Sequence, residues 1–312
     1  MKATNCYLCG SSHAEILFTF KGEDKYLAVV FDKTPEEDMN WMICKNCGLV
    51  FRSPVLEESE YNKLYSNYDT DIFSQTTPDQ YFDRITSLPI GKSENKEKTR
   101  WLREVLQRHQ ASIAKTALDV GCGGGTLLHS LKEQFPAISL YGVELNPAYA
   151  ELAKRRLNAD IRNQNYENGI FGQKFDLLIN TKVLEHIPDP LPFLQNMHQD
   201  LNGNGSLLIE VPHVADMFNF SLDNERFTIP HIYFFSEGTL GALLEQAGFS
   251  VLDSRVFDAS RNRSYLQIVA RKNDSPGSAP SISPPFDDVQ AIARRVAENN
   301  KATKSAGAEH GH

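Results

Sequence analysis

The residues best suited to chemistry in this 312-residue chain fall into three groups. The first is a pair of C-x-x-C motifs, Cys6 and Cys9 in "NCYLCG", Cys44 and Cys47 in "ICKNCGLV". Four thiolates complete a tetrahedral zinc shell, and Gly10 and Gly48 follow the pairs directly, as a tight metal knuckle favours. A shell closed by four cysteines leaves no open position, so the metal expected here is structural. A redox pair or two unrelated turns are the alternatives. The second group is acidic and glycine-rich. In "ALDVGCGGGTLLHSL", Asp119 ends an apolar run, Gly121, Gly123, Gly124 and Gly125 form a turn, and Thr126 starts the next run. Glu144, in "YGVELNP", stands 23 residues beyond Gly121 (144 minus 121). That is close to the offset of about 20 at which a carboxylate meets ribose hydroxyls in nucleotide-binding βαβ units. Thr126 occupies the place of the third glycine of the dinucleotide fingerprint, and Asp119 would repel a pyrophosphate but attract an ammonium or sulfonium, so NAD is disfavoured. The third group is histidine: His186 in "VLEHIPDP", His213 in "IEVPH" and His231 in "IPHIYFF", with Tyr233 two residues on. Imidazole accepts protons near neutral pH, and His231 is the expected general base, with His186, His213 and Tyr233 as the other candidates. His129 and His198 fall within helices and read as surface residues.

These side chains need a frame that gathers them, and the patterning supplies one. From about 111 to 273, "TALDV", "ISLYGVE", "FDLLIN" and "GSLLIEV" read as strands, with "TLLHSLKEQF", "PAYAELAKRRL" and "PLPFLQNMHQDL" as helices between them. Pro147 suits a first helical turn, and Ser236 and Gly248 open and close a helix over "SEGTLGALLEQAG". "SVLDSRVF" and "SYLQIVA" close the region as strands. The alternation predicts an α/β fold, a doubly wound and mostly parallel sheet with helices on both faces. Ligands then sit beyond the carboxyl ends of the strands, where Asp119 and Glu144 stand. Residues 56–110 read as a helical linker or lid. In "KEKTRWLREVLQRH", Trp101, Leu102, Val105 and Leu106 share one face and the charges are placed on the solvated one. Tyr61, Tyr65 and Tyr68 either pack or cover the cleft. Residues 1–55 form a zinc ribbon around the β-rich runs "AEILFTF" and "YLAVVF". The long segment 211–235, with Phe218, Phe220, Phe227, Phe234 and Phe235, reads as an acceptor-pocket wall or a second small core. Residues 274–312, rich in Pro, Ser and Gly, are expected to be a disordered tail with a short helix near its end.

"LDVGCGGG", "YGVELNP" and "FDLLINTKVLEHIPDP", in that order, resemble the successive motifs of class I S-adenosylmethionine-dependent methyltransferases. The resemblance covers about 117–270 and implies a seven-stranded Rossmann-like sheet ending in an antiparallel hairpin. It further implies that Asp119, Gly121 and Gly123 line the methionine part of S-adenosyl-L-methionine. Glu144 would hold the ribose, Leu145, Asn165 and Tyr166 would border the adenine, and Asn180 and Thr181 would lie beside the methyl group. A four-cysteine ribbon ahead of such a domain is similar to that of bacterial sugar- and glycan-pathway methyltransferases, and also to that of a ribosomal RNA guanine methyltransferase family.

Composition narrows the field. The hydrophobic fraction of 41% and charged fraction of 23% are those of a soluble globular protein. No run approaches the ~18 apolar residues of a membrane span, and the N-terminus lacks an apolar signal core. The expected location is cytoplasmic, where paired thiols stay reduced. A net charge of −8 argues against nucleic acid, whose phosphates are held by clustered Lys and Arg. The expected activity is S-adenosylmethionine-dependent methyl transfer to a small polar acceptor, a nucleotide sugar or glycan precursor, with O-methylation slightly favoured over C-methylation. An RNA base methyltransferase that grips RNA with its ribbon and a non-catalytic binding or scaffold protein are the rivals. The sequence does not specify the acceptor atom or the oligomeric state.

Overall fold

The computed structural model describes residues 5–20, 22–31, 38–66, 77–111, 114–221, 223–260, 262–273 and 291. Tyr68 and, save position 291, the expected tail at 274–312 lie outside the described residues. The N-terminal part contains β1 (Ala14–Thr19), α1 (Leu27–Val30), β2 (Asn40–Cys44) and β3 (Val50–Ser53), followed by α2 (Glu58–Ser66), α3 (Pro78–Thr86) and α4 (Glu94–Arg108). Then come β4 (Thr116–Val120), α5 (Thr126–Gln134), β5 (Ser139–Val143), α6 (Pro147–Leu157), β6 (Asp160–Arg162), β7 (Phe175–Thr181), α7 (Pro190–Asp200) and β8 (Leu201–Pro212). β9 (Tyr233–Phe234), α8 (Glu237–Gln246), β10 (Phe249–Ala259) and β11 (Arg263–Lys272) follow.

The large sheet has seven strands in the order β10-β11-β8-β7-β4-β5-β6. The strands from β8 to β6 are parallel, while β11 runs antiparallel to β8 and β10 antiparallel to β11. The doubly wound sheet and its closing hairpin are therefore as expected; β6, only three residues long, has no sequence run strong enough to announce it. Successive side chains alternate between two cores, as the twofold period of a strand requires. Leu118, Val120, Leu178, Leu207, Ile209 and Ile268 point into one core, while Ala117, Leu177, Ile179, Leu208 and Val269 point into the other. The second core is roofed by Leu102 and Val105 of α4, Leu128 and Leu131 of α5 and Ala153 of α6. The first is roofed by Leu194 and Met197 of α7 and by Leu240 and Leu243 of α8.

The first core does not stop at the edge of the α/β unit. It continues into the N-terminal residues, taking in Phe18, Trp41, Ile43, Val50 and Phe51. These belong to a four-stranded sheet, β1-β2-β3-β9, whose last strand comes from residues 233–234. β9 pairs antiparallel with β3 through Val50↔Phe234 and Phe51↔Tyr233. Phe18 packs edge-on against Phe227 (5.0 Å between centroids) and Trp41 lies 4.9 Å from Phe234. Three of the five phenylalanines of segment 211–235 are thus interior to a joint core, and among the described residues of that segment only Pro230 reaches the large cleft. One expected β-rich run behaves differently: Leu27–Val30 of "YLAVVF" is a short helix. Asp24 accepts the N–H of Tyr26, which starts the turn, and Leu27 and Val30 are buried one turn apart.

Candidate functional site

A cleft of about 960 Å³ opens at the carboxyl ends of β4, β5 and β7, beside β4, where the strand order reverses. Its floor is the turn after β4. Gly121 and Gly123 both adopt positive φ (83° and 52°), conformations that L side chains rarely take. The two serve different ends. A Cβ on Gly121 would lie 2.4 Å from Val183 Cγ2, so this glycine lets the β4 and β7 loops pack together. A Cβ on Gly123 would meet nothing within 4 Å, so its backbone borders open cleft.

Two carboxylates face this turn. Asp119 is 1% exposed, and its Oδ1 has no hydrogen-bond partner among the described residues. Burial raises its carboxyl to about 7, with Lys98 opposing and Glu144 adding to the rise. Glu144 is set more firmly. Its Oε2 accepts the N–H of Gly123 (2.8 Å) and its Oε1 that of Asn146 (2.7 Å). Burial still raises its carboxyl above the ordinary range. Asn146 caps α6 by accepting the N–H groups of Ala148 (2.9 Å) and Tyr149 (3.2 Å), with Pro147 in the first turn as expected. Asn163 donates to the carbonyls of Glu144 and Leu145, both at 2.8 Å, and so fixes the turn that presents them. Leu145 is 44% exposed and lines the cleft with Asn165, Tyr166 and Thr181. The Tyr166 hydroxyl donates to Asp200 (2.8 Å), leaving the ring face toward the cleft wall. Asn180 is fully buried instead, its amide donating to Val120 O (3.1 Å); it ties β7 to β4 and does not line the cleft.

The sequence reading assigned all the charges of α4 to solvent. Lys98 does not obey it. It lies three and four residues before Trp101 and Leu102, on the apolar face, and its side chain is 2% exposed. Its ammonium sits 2.6 Å from Glu210 Oε1, and Gln267 donates to the other oxygen. Lys182 approaches Glu210 (3.7 Å) and Glu94 (3.4 Å) from the far side. Burial alone would push Glu210 up, but Lys98 and Lys182 together hold its carboxyl below the ordinary value. Lys98 and Lys182 both line the cleft, so this charge network underlies its wall. The helical period that places Leu102 and Val105 inward was the available signal for Lys98; nothing in "IEVPH" marks Glu210 as its partner.

The histidines separate clearly. His186 lines the cleft, in a 3-10 turn, Leu184–His186, just past β7. Its Nδ1 lies 2.7 Å from Pro230 O; a carbonyl accepts only, so Nδ1 carries the proton in either form of the ring, and in the neutral form Nε2 keeps its lone pair. Nε2 is 3.8 Å from the buried carboxylate of Glu185. The Oε2 of Glu185 has no hydrogen-bond partner, and burial raises its carboxyl, with His186 opposing. The His231 ring packs on that of His186 (4.8 Å, 67°) but does not line the cleft. Burial, and next to it the charge of His186, holds His231 well below the usual histidine range. His213 is farther removed: its Nδ1 accepts the N–H of Ala215 (3.4 Å) and caps the 3-10 turn Val214–Asn219. Tyr233 lies within β9 and donates to Pro188 O (2.8 Å), supporting the cleft edge from behind. Of the expected tyrosine stripe, Tyr61 borders the cleft, and nothing is described for the side chain of Tyr65.

The four cysteines converge. Cys6 Sγ and Cys47 Sγ are 3.3 Å apart, Cys9 Sγ and Cys44 Sγ 3.6 Å, and all four lie within 4.8 Å of one another. Gly10 and Gly48 turn each knuckle, donating to Cys6 O (2.8 Å) and Cys44 O (2.9 Å). The separations approach the edge of about 3.8 Å that four sulfurs at ~2.3 Å from one zinc would form. They are far beyond the ~2.05 Å of a disulfide. Crowded thiols cannot all ionise: the Cys6 hydrogen bond and burial push Cys47 up, and burial pushes Cys9 up to about 11. A dication would reverse both. Among the described residues one other group, Glu185, His186 and His231, brings metal-binding atoms within 4.8 Å of one another.

Comparison with known proteins agrees with this geometry. Residues 91–254 match the methyltransferase domain family, 164 of the 312 residues (254 minus 91, plus 1). The chain belongs to that family. It is 30% identical over 117 residues to the ubiquinone biosynthesis O-methyltransferase of Histophilus somni, covering 34% of this chain and 48% of that protein. It is 29% identical over 126 residues to the trans-aconitate 2-methyltransferase of an Enterobacter species, covering 38% and 48%. The chain thus spans about half the length of the curated relatives it matches. Among solved structures, it is similar to the Burkholderia thailandensis 1,6-didemethyltoxoflavin-N1-methyltransferase, solved with 1,6-didemethyltoxoflavin and S-adenosylhomocysteine bound. That similarity has a TM-score of 0.48 at 22% identity and covers 72% of this chain and 96% of that one. The N-terminal cysteines fall outside the matched family region. Among the described residues no helix is long and apolar enough to cross a membrane.

Proposed function

We propose that the chain transfers a methyl group from S-adenosylmethionine to a hydroxyl of a small polar acceptor, and that its four cysteines hold a structural zinc. One observation carries this reading: a buried carboxylate with an orphan oxygen, Asp119, and a ribose-type carboxylate, Glu144, flank an open glycine backbone in one cleft, which His186 also lines with its Nδ1 proton held by Pro230 O. The orphan oxygen of Asp119 fits the cofactor's ammonium. Glu144 already accepts two N–H groups through separate oxygens and has lone pairs left for two ribose hydroxyls. Leu145, Asn165 and Tyr166 border the adenine end, and Thr181 the methyl end.

S-adenosylmethionine supplies a methyl group already activated on a sulfonium. What remains for the protein is alignment, which in well-oriented systems is worth ~7–11 kcal/mol, and removal of one proton. His186 would take that proton from the acceptor hydroxyl at Nε2 as the methyl carbon passes from sulfur to the hydroxyl oxygen, the carbon–sulfur bond breaking and the sulfur leaving as a neutral thioether. Glu185 stabilises the imidazolium through space, and His231, kept neutral, does not compete with it. The acceptor enters between Tyr61, Tyr81 and Ile85 on one wall and Pro230 on the other, with exposed Lys92 at the rim offering a cation to a phosphate. A nucleotide sugar suits that combination. O-methylation is favoured by the proton-accepting Nε2, which a carbon acceptor activated elsewhere would not need, and is the chemistry that the ubiquinone O-methyltransferase is named for. Two of the ribbon's described cations are little suited to RNA: Lys45 pairs with Glu15 at 2.8 Å and Arg52 is wholly buried.

Calorimetry with S-adenosylhomocysteine, followed by a panel of nucleotide sugars scored by release of the demethylated cofactor, tests the reading. Absence of any affinity for S-adenosylmethionine and S-adenosylhomocysteine would overturn it. Glu144→Ala is expected to weaken cofactor binding by roughly ten- to a hundredfold, the ~1.5–3 kcal/mol of a hydrogen bond to a charged group. Unchanged affinity would remove the ribose assignment. Affinity should also depend on pH. Asp119 with a carboxyl near 7 must lose its proton before it can attract an ammonium. Binding is therefore strongest above pH 7 and weakens as pH falls, approaching about tenfold per unit well below it. Titrations at pH 6 in buffers of different ionisation enthalpy should report proton release; an affinity flat from pH 5.5 to 8 would contradict it.

A further inference from the structure

The carbonyl that selects the tautomer of His186 belongs to Pro230, in a loop that joins the 3-10 turn Glu225–Phe227 to β9. Apart from His186 itself, the charged side chains that grip this loop come from the cysteine-bearing N-terminal part, not from the α/β unit. Arg52 on β3 is 0% exposed. Its Nε donates to His231 O (3.1 Å), one terminal nitrogen to Phe227 O and the other to Met39 Sδ (3.2 Å), while the guanidinium lies 5.1 Å from the Trp41 ring. Its backbone N–H donates to Ile232 O (2.8 Å). Asp24 grips the same loop with the opposite polarity, accepting the N–H of Ile229. Carbonyls 227, 231 and 232 and amide 229 are therefore all held from one side, two of the carbonyls and the amide by charge-assisted hydrogen bonds, the stronger class. Burial pushes the Arg52 guanidinium down to about 10, with Asp24 as the main charge opposing it. An apolar side chain would fill this site without that cost, so the buried charge needs a reason beyond packing.

We propose that Arg52 and Asp24 are positioning residues for methyl transfer: they hold the 227–232 loop so that Pro230 O fixes His186, at the cleft wall, with its proton on Nδ1. This inference rests on the reading of His186 as the base. It gives the cysteine ribbon a defined part in the reaction, since the strand that carries Arg52 starts three residues beyond Cys47. It also explains why β9 leaves the α/β unit to complete the ribbon sheet. The histidine that the sequence favours, His231, contributes its backbone carbonyl to Arg52 and its ring as a wall for His186.

The test reads the tautomer directly and needs no acceptor. Long-range proton–nitrogen spectra of the full chain with S-adenosylhomocysteine bound, His186 being assigned by the signals absent from His186→Ala, should show the Nδ1–H form. Arg52→Met keeps the volume over Trp41 but loses the grip, and should convert His186 to a mixture of tautomers while S-adenosylhomocysteine still binds. Asp24→Ala should do the same from the other side, and Asp24→Asn, whose amide oxygen still accepts from Ile229, should restore the Nδ1–H form. Asp24→Ala and Asp24→Asn decide the matter if Arg52→Met fails to fold. On an accepted substrate, Arg52→Met should lower kcat tenfold or more with little change in KM, part of the ~10²–10⁴ that a positioned base supplies. If the folded variants keep the Nδ1–H form and lose only thermal stability, the proposal is wrong and Arg52 merely stabilises. That outcome is distinct from failure of the base assignment, which shows instead as full turnover in His186→Ala.

Discussion

Protein purified without chelators is expected to carry about one zinc per chain, and Cys44→Ser/Cys47→Ser to lose it. The effect should be large, because folding of such modules is coupled to metal binding worth ~10–16 kcal/mol in isolated zinc-finger peptides. It should also be selective. The core under α4, α5 and α6 contains none of the described residues 5–66, so this side of the cofactor turn rests on packing that survives metal loss. The other core runs through Cys6, Cys44 and Cys47 into Phe227, Phe234 and the 227–235 segment. Metal loss should therefore expose residues 5–66 and the segment before α8 to proteolysis. It should cut turnover by two orders of magnitude or more by releasing His186, the scale of a positioned base. Affinity for S-adenosylhomocysteine should change far less. Metal analysis, limited proteolysis and calorimetry on one preparation separate these effects. A metal-free native protein that is folded and fully active would remove the zinc assignment; equal loss of cofactor binding and turnover would mean that the two halves fold as one unit.

The parts legible in the sequence were those written in local periodicity. Alternating apolar runs with glycine, proline and serine at their ends mark β4, β5, β7, β8, β10 and β11 in order, Pro147 at the start of α6, and Ser236 and Gly248 at the ends of α8. The glycine turn and its two carboxylates were legible for the same reason, being short-range features of strand ends. What was hidden depends on contacts far apart in sequence. Arg52 meets His231 across 179 positions and Lys98 meets Glu210 across 112, and no local pattern encodes either. The ribbon read as a separate module because its missing strand, β9, is two residues long and follows β3 by 180 positions. For the histidines, position relative to a strand was informative but direction was not. His213 and His231 stand near the ligand edge in sequence, yet one turns back to cap Ala215 and the other lies behind His186.

His186→Ala should lower kcat by ~10²–10⁴ while leaving cofactor affinity intact. The argument is one of geometry before acidity. His186 is the one of the three candidate histidines that lines the cleft, and its proton is committed to Pro230 O at 2.7 Å. His231→Ala removes a ring that packs on His186 at 4.8 Å but leaves the 231 carbonyl for Arg52, so its loss should be smaller. His213→Ala should affect stability alone, through the cap it gives to Ala215, by ~0.5–2 kcal/mol. The pH profile sharpens the distinction. At low S-adenosylmethionine, rates fall on the acid side partly because Asp119 must ionise for binding. At saturating cofactor, bound ammonium keeps Asp119 ionised, and the acid limb of kcat that remains belongs to the base. That limb should vanish in His186→Ala and remain in His231→Ala. Free imidazole should restore part of the lost rate, because the truncated side chain leaves a space bordered by Glu185 and Pro230. An undiminished kcat in His186→Ala, with the acid limb kept, would return the base to His231 and require the loop that buries it to open during turnover.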